Sequence, residues 1–297
     1  MKWDVEGKKR FQSGIDHVAL YVAAQGKYTP STSKYVCDMP TTVTSVSQGY
    51  AGPEIVSGNY EKGVPWNGVT AINENPSGGE TTTLYADNIA YLNMQSAEKY
   101  GFSIEAYDYP DEWEECDGTA VLLGAMRVGQ QKRSKFALTY RTLVGTDTGA
   151  LGDDEILHWV WGCSAAVSAK NHQTVNESPE AATMSWECTA NTVTWTTKNR
   201  FNGTAQGTVQ TTYPIKEYKT AHISVRKSDC TGSNARNKSV AKAYEHLFRT
   251  AFGDPSLDSN DGLCLTPEGI WLTLNFYDDT VYESDDLGPE TITLKNS

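Results

Sequence analysis

The chain has 297 residues, 38% of them hydrophobic, and its mean hydropathy of -0.50 is low but typical of a globular protein. Its net charge of -12 disfavours tight nucleic-acid binding, because a negative surface repels phosphate groups. Residues 1–14 contain no apolar stretch of the kind found in signal peptides, and the longest apolar run, Val18–Ala24, is far shorter than the roughly 20 residues that span a bilayer. We therefore expect neither an export signal nor a membrane partner.

The alternation of apolar and polar residues predicts a mainly β chain. Two strands, Thr81–Tyr85 and Phe102–Tyr107, are expected to pair with each other and to be followed by an acidic turn, Asp111–Glu115. Glu155–Cys163 is apolar on both faces, which indicates a central or interface strand. Further strand-like segments are Asp16–Ala23, Trp66–Ile72, Val121–Val128, Lys135–Leu143, Ala182–Ala190, Thr192–Thr197, Ala221–Val225, Ile270–Tyr277 and Thr291–Leu294.

The connections are less regular than the strands. Asn191 is expected to turn the chain, so that the strand after it forms a hairpin with the strand before it. Residues 25–65 and 198–219 are polar stretches far longer than the usual connection of about four to six residues. The first of these is compatible with disorder, an ordered excursion or a hairpin.

One helix is predicted near residues 239–252. Ser239 can cap its first turn, and Gly253 can end it in the left-handed conformation. Its apolar face is formed by Val240, Tyr244, Leu247, Phe248 and Ala251, which follow helical spacing. This stripe predicts packing against a sheet. The whole chain, 1–297, is therefore expected to be a single mainly β domain, a β-sandwich or curled barrel with one flanking helix.

The sequence contains no recognisable catalytic motif. There is no HExxH, no phosphate-binding loop and no GxSxG. The histidines His17, His158, His172, His222 and His246 lack metal-ligand spacing, and we interpret His158 and His222 as structural residues within strands. Asp258–Gly262 resembles a calcium loop but lacks its glycine and glutamate positions. We expect no catalytic residue, cofactor or metal. The six cysteines form no CxxC pair and are expected to be reduced, mostly buried thiols.

Charged residues occur in blocks of opposite sign. Acidic blocks on one subunit could face basic blocks on the next and set the register of a polymer. The candidate contacts are Arg127, Lys132, Arg133, Lys135, Asp111, Glu112, Glu114 and Glu115. The competing interpretation is a pair of catalytic carboxylates, but dense acidic runs on turns are usually solvated surface.

Several short segments occur in the order found in a known family. They are Leu84–Asn88, Tyr100-Gly101, Ile104–Tyr107, Tyr109–Glu112, Cys116–Gly118, Gln130–Arg133, Ala137–Thr142, Asn176–Glu180 and Ser185–Glu187. Over residues 66–195 the chain resembles the major tail protein, or tail tube protein, of long, flexible-tailed bacteriophages. The resemblance is looser elsewhere, and Thr146-Asp147-Thr148 stands where the family pattern leads us to expect Gly-Asn-Asp.

The resemblance implies a structural protein and not an enzyme. Such a subunit would form hexameric rings that stack into the tail tube, the conduit for DNA. The family uses a long loop in stacking one ring on the next, so the resemblance implies that residues 25–65 are an arm that reaches a neighbouring subunit. Its partners would be further copies of itself, the tape measure protein, the tail terminator and the distal tail or baseplate proteins. Contact with phage DNA would be transient and independent of sequence. The location would be the virion tail, after assembly in the host cytoplasm. The alternatives are another phage ring protein, such as a terminator or baseplate component, and a secreted carbohydrate-binding β-sandwich.

Overall fold

A computed structural model describes residues 10–23, 60–146, 154–167, 183–197, 216–230, 235–253 and 262–278. Most of the two long loops, the calcium-like segment 258–261 and the predicted strand Thr291–Leu294 lie outside the described residues. The strands are β1 Arg10–Val22, β2 Val64–Pro65, β3 Val69–Glu74, β4 Thr81–Ala86, β5 Ile89–Gln95, β6 Tyr100–Ala106, β7 Ala120–Leu122, β8 Met126–Val128, β9 Phe136–Thr146, β10 Asp154–Ala165, β11 Met184–Ala190, β12 Val193–Thr196, β13 Glu217–Thr220 and β14 His222–Arg226. The helices are α1 Trp113–Asp117, α2 Ala235–Phe252 and α3 Pro267–Asp278, with a 3₁₀ turn at Ser228–Cys230.

The main sheet is antiparallel, with the strand order β2-β1-β9-β10-β11-β6-β3. β10 is its central strand. Residues Ile156–Val160 pair with β9 on one side and with β14 on the other, whereas Ser164 and Ala165 pair with β11. β10 therefore joins the strands on its two sides into one sheet. Its two faces are apolar because Val160 and Cys163 lie in one core and Leu157, Trp159 and Trp161 lie in the other. The predictions of a mainly β fold and of a central strand here are confirmed.

The two halves of the sheet curl around a core rich in aromatic side chains. The Trp66 N–H donates to the Val18 carbonyl at 2.8 Å, which brings the start of β3 close to β1. Trp66, Trp113 and Trp186 are buried with ring centroids 4.6 to 5.7 Å apart. Trp113 lies on α1, where the sequence predicted only a turn, and Gly118 ends this helix with a φ of 84°. The result is a curled barrel with a filled interior.

A second core lies between the opposite face of the sheet and α2. Tyr244, Leu247 and Ala251 are buried there, in agreement with the predicted apolar stripe. Leu247 shares this core with Leu157 and Trp159 from β10. The flanking helix is thus confirmed. It begins at Ala235, so the prediction that Ser239 caps it is wrong.

The segment Ile270–Tyr277, predicted as a strand, lies within α3, so this prediction is wrong. The helix starts where local chemistry favours a start: the Thr266 hydroxyl accepts a hydrogen bond from the Gly269 N–H at 3.3 Å, and Pro267 occupies the first helical position. Ile270 is buried in the same core as α2. Packing against α2 and the sheet decides the conformation of a segment whose apolar residues also fit a strand.

The hairpin predicted across Asn191 is also wrong. β12 pairs with β13 from Val193–Thr220 to Thr196–Glu217, and not with β11. Instead, the Asn191 side-chain amide donates to the Gly162 carbonyl at 3.0 Å. β11 pairs along its whole length with β6, because both strands present buried residues to the same core.

A partly buried ion network fastens β1, β9 and β10 to the helical side. Arg141 contacts both carboxylate oxygens of Asp16, at 2.7 and 2.6 Å, and Glu155 at 3.2 Å. Glu155 also accepts hydrogen bonds from Lys227 at 2.9 Å and Tyr244 at 3.1 Å. Burial raises the pKa of each carboxyl. At Asp16 this effect is outweighed by the hydrogen bonds and charge of Arg141. At Glu155 it is outweighed by the hydrogen bond from Lys227 and the charges of Arg141 and Lys227. Both pKa values are therefore lowered.

Removing the central guanidinium should destabilise the fold in a pH-dependent way. We expect Arg141→Met to cost about 2 to 3 kcal/mol at pH 7, somewhat less than for a fully buried pair. A carboxyl whose pKa is lowered in the folded state stabilises the fold at pH values above its unfolded-state pKa. This stabilisation is lost as the pH falls through the folded-state pKa. The difference in the free energy of unfolding between Arg141→Met and the wild-type chain should therefore shrink as the pH falls below about 4. Urea unfolding at pH 7 and pH 3.5 measures this. Arg249→Met, which breaks an exposed pair with Glu245, is the control, and a difference that stays constant with pH would contradict the prediction.

Five cysteines lie within the described part of the chain, and all five are free and buried: Cys116, Cys163, Cys188, Cys230 and Cys264. Burial raises the pKa of each thiol, to about 12 for Cys116 and about 11 for Cys230. The prediction that the cysteines are buried is confirmed for these five, none of which forms a disulfide in the described structure, and their reduced state stays a prediction. Cys37 lies outside the described residues.

Candidate functional site

The most exposed feature of the described structure is a two-stranded ribbon. The β3–β6 ladder continues outward through a hydrogen bond from the Asn75 N–H to the Gly101 carbonyl and a reciprocal pair between Ser77 and Lys99, at 2.7 to 2.9 Å. Beyond these bonds β4 and β5 pair only with each other among the described strands. We call this distal part, Thr81–Gln95, the ribbon.

A tight turn closes the ribbon. Asp87 and Asn88 have φ values of 53° and 61°, the left-handed conformation that two-residue hairpin turns require. Asp and Asn tolerate it better than most residues, so the turn was readable in the sequence. The strand after it, β5, was nevertheless missed. The predicted pairing of Thr81–Tyr85 with Phe102–Tyr107 is therefore wrong: β4 pairs with β5, and β6 pairs with β11 and β3.

The ribbon exposes an unusual amount of apolar surface. Leu84 pairs with Leu92 and Thr82 with Met94, so Leu84, Leu92 and Met94 share one face. The exposed large side chains are Leu84, Tyr85, Ile89, Tyr91, Leu92 and Met94, with relative exposures of 45 to 74%. Asp87 is the only charged residue in Thr81–Gln95. An isolated two-stranded hairpin is marginally stable in water, and exposed apolar patches commonly mark protein interfaces.

A smaller hairpin, β7–β8, has the same character. Leu123 is 100% exposed at its tip with a φ of 54°, an uncommon conformation for a residue with a side chain. Val121, Leu122 and Met126 beside it are 46 to 59% exposed. Together the two hairpins present apolar side chains where a folded monomer usually presents polar ones.

Several of the charged residues predicted to contact another subunit instead bond to groups within the same chain. Arg127 bonds to Glu114, which is buried, and lies 3.7 Å from Asp111. The Arg133 guanidinium donates to the Ala165 carbonyl at 2.8 Å, and the Lys135 ammonium donates to the Ser164 hydroxyl. The remaining predicted residues, Glu112, Glu115 and Lys132, are exposed. A role for this group in subunit contact stays a prediction, and Lys132→Glu tests it more cleanly than a change at Arg133 or Lys135.

A second site lies at an end of the barrel interior, where the sequence predicted only structural histidines. His158 on β10 and His222 on β14 lie with Nδ1 and Nε2 3.1 Å apart, and His222 Nε2 is 4.0 Å from Glu74 Oε1 on β3. Burial, with the neighbouring His222, lowers the pKa of His158 to about 4, and burial lowers that of His222. Both rings are therefore neutral at pH 7. Sequence reasoning missed this group because its members are distant in the chain and only strand register brings them together.

No family model matches this chain, and no curated protein is similar enough in sequence to be recognised as its relative. Among the helices that the structure describes, none is both long and apolar enough to cross a membrane.

Proposed function

We propose that this protein is a tail tube subunit, which polymerises as stacked hexameric rings into the conduit through which phage DNA passes. The observation that carries the proposal is the exposed apolar ribbon, Thr81–Gln95. It projects from a well-packed barrel, carries six exposed large apolar side chains and has no third strand among the described residues. In the proposed assembly, the ribbon binds a second copy of the same chain.

The chemistry of the ribbon supports strand pairing between subunits. Its outer edges carry backbone N–H and C=O groups without ladder partners among the described strands, and a neighbouring ribbon can supply these partners. Each copy would use one edge to bind the next copy, and such head-to-tail contacts close into a ring when the rotation fits. Ribbons joined in this way form a continuous wall, which is what the resemblance to tail tube proteins implies for the lumen.

The charge of the chain suits a conduit better than a binding protein. With a net charge of -12, a tube of these subunits has little attraction for phosphate, so DNA can slide through it. The ribbon itself is nearly uncharged, which favours contact with protein over contact with nucleic acid.

Electron microscopy of the purified chain at rising concentration tests the proposal. Tubes support it. Single rings favour a terminator or baseplate protein, and a monomer at every concentration, with binding to a carbohydrate array, favours the secreted module and overturns it.

A ribbon variant tests whether this surface drives assembly. We expect Leu92→Asp to raise the concentration needed for assembly by at least about tenfold, the equivalent of about 1.4 kcal/mol per contact. The melting temperature of the unassembled chain should change little, because Leu92 is 49% exposed. Val167→Asp places the same charge on an 86% exposed apolar residue outside the ribbon and is the control. Equal assembly of Leu92→Asp and the wild-type chain would show that the ribbon is not the interface.

A further inference from the structure

Three side chains from separate strands converge at one end of the barrel interior, where Glu74 is exposed and His158 is buried. The ligand atoms of Glu74, His158 and His222 all lie within 4.8 Å of one another. β10 and β14 are paired so that Val160 faces His222 and His158 faces Ser224. The two histidines are therefore diagonal neighbours on one face of the sheet. Glu74, at the end of β3, reaches them from the other half of the sheet.

The distances suit a transition-metal site, and without an ion the two histidine rings share a hydrogen bond. Ligand atoms about 2.0 to 2.1 Å from a tetrahedral Zn²⁺ lie about 3.3 Å from each other. The two histidine nitrogens are already 3.1 Å apart, and Glu74 Oε1 is 4.0 Å from His222 Nε2. The Glu74 side chain is 39% exposed, so it has room to close the remaining gap and leaves a path from solvent. Two imidazoles and one carboxylate favour zinc-like ions over calcium or magnesium, which prefer oxygen ligands.

The surrounding residues hold the three ligands in place. Thr142 Oγ1 lies 2.9 Å from His158 Nε2, the ring nitrogen that faces away from the cluster. The Tyr140 hydroxyl donates to Glu74 Oε1 at 2.9 Å. Each histidine is also stacked on a tyrosine: His158 on Tyr140 with centroids 4.6 Å apart, and His222 on Tyr100 at 5.1 Å. Partners of this kind fix the orientation of metal ligands in known sites.

We propose that Glu74, His158 and His222 bind one divalent transition-metal ion, with Zn²⁺ as the best match. The ion joins β10 and β14 to the end of β3, only three residues before Ser77 at the base of the ribbon. It therefore fixes the two halves of the sheet together at the point from which the ribbon projects. The proposal does not depend on the assembly function, since the three ligands come from one chain.

Zinc binding to the full-length chain tests the site directly. After treatment with a chelator and its removal, titration calorimetry should show one Zn²⁺ per chain, and Zn²⁺ but not Mg²⁺ should raise the melting temperature. Co²⁺ should give the strong visible absorption of a four-coordinate ion. Glu74→Gln, which keeps an oxygen for the Tyr140 hydroxyl, and His222→Gln should each weaken Zn²⁺ binding at least about tenfold, because even outer partners of a metal site contribute about 10- to 100-fold.

His17→Gln is the matched control. His17 lies 3.3 Å from the Asp16 carboxylate but outside the cluster, so its removal should leave the stoichiometric binding unchanged. The absence of stoichiometric Zn²⁺ binding by the wild-type chain would overturn the proposal. So would equal binding by the wild-type chain and both cluster variants, because the ion would then be held elsewhere, for example by the thiols. Neither result would bear on whether the chain forms tubes.

Discussion

Replacing Leu247 by aspartate is expected to remove all folded protein from the soluble fraction. Leu247 has no exposed surface and lies in the core between α2 and the sheet, with Trp159 and Leu157. A carboxylate there would be surrounded by the apolar side chains of this core, and an unpaired buried charge costs more than the 4 to 5 kcal/mol that already marks an exceptional substitution. Because a domain is stable by only about 5 to 15 kcal/mol, the folded state should not survive.

Two further variants make this result interpretable. Leu247→Ala should remain folded and lose about 2 to 5 kcal/mol in urea unfolding, the usual cost of a cavity at such a position. Glu245→Gln, at an exposed position on the same helix, should lose only a few tenths of a kcal/mol with its i,i+4 partner Arg249. Soluble Leu247→Asp protein with a wild-type melting temperature would mean that α2 does not pack against the sheet.

The second large effect is expected at Trp186. Its ring is fully buried between Trp66 and Trp113, in edge-to-face contacts with both, so Trp186→Ala leaves a large cavity in the barrel core. We expect a loss of about 3 to 5 kcal/mol. For a chain of this size that corresponds to a melting temperature lower by roughly 6 to 15 °C. Circular dichroism is the suitable probe, because the substitution itself changes the fluorescence.

Trp195 provides the matched comparison. It is only half-buried, on β12, and stacks on Tyr218 with centroids 5.2 Å apart. Trp195→Ala should therefore destabilise the chain by clearly less than Trp186→Ala. Equal losses at the two positions would contradict the assignment of the barrel interior as the principal core.

The sequence allowed the buried strands to be predicted where one periodicity stands out. β6, β9 and β11 alternate as expected, with Phe102, Leu138 and Trp186 facing the same core. α2 was predicted because its apolar residues recur at helical spacing. In α3 the apolar residues Ile270, Trp271, Leu272 and Leu274 are too dense for any one period to stand out. The Thr266-Pro267 start signal was present, but the alternation of Ile270 with Leu272 and Leu274 outweighed it.

The two candidate sites differ in how far local sequence could reveal them. The ribbon has a local signature, since Asp87-Asn88 lies between two apolar-rich strands, but its exposure depends on how the rest of the chain packs and cannot be read from local pattern. The Glu74, His158 and His222 cluster has no local signature. Glu74, His158 and His222 meet only because β10 pairs with β14 in one particular register and because the sheet curls. A shift of one residue in that register would turn His222 away from the other two.

The buried cysteines can serve as probes of how often different parts of the fold open. A thiolate is the reactive form, and five thiols shielded from solvent with raised pKa values cannot meet a water-soluble reagent while the fold stays closed. In a Cys37→Ser background, at dye concentrations high enough for attachment to outpace reclosing, the labelling rate of each cysteine equals the rate at which its surroundings open. Cys188, inside the barrel, and Cys264, beneath the helices, would report the two layers separately. Repeating the labelling under conditions that test the proposed assembly would show whether contact between subunits slows the opening of either layer.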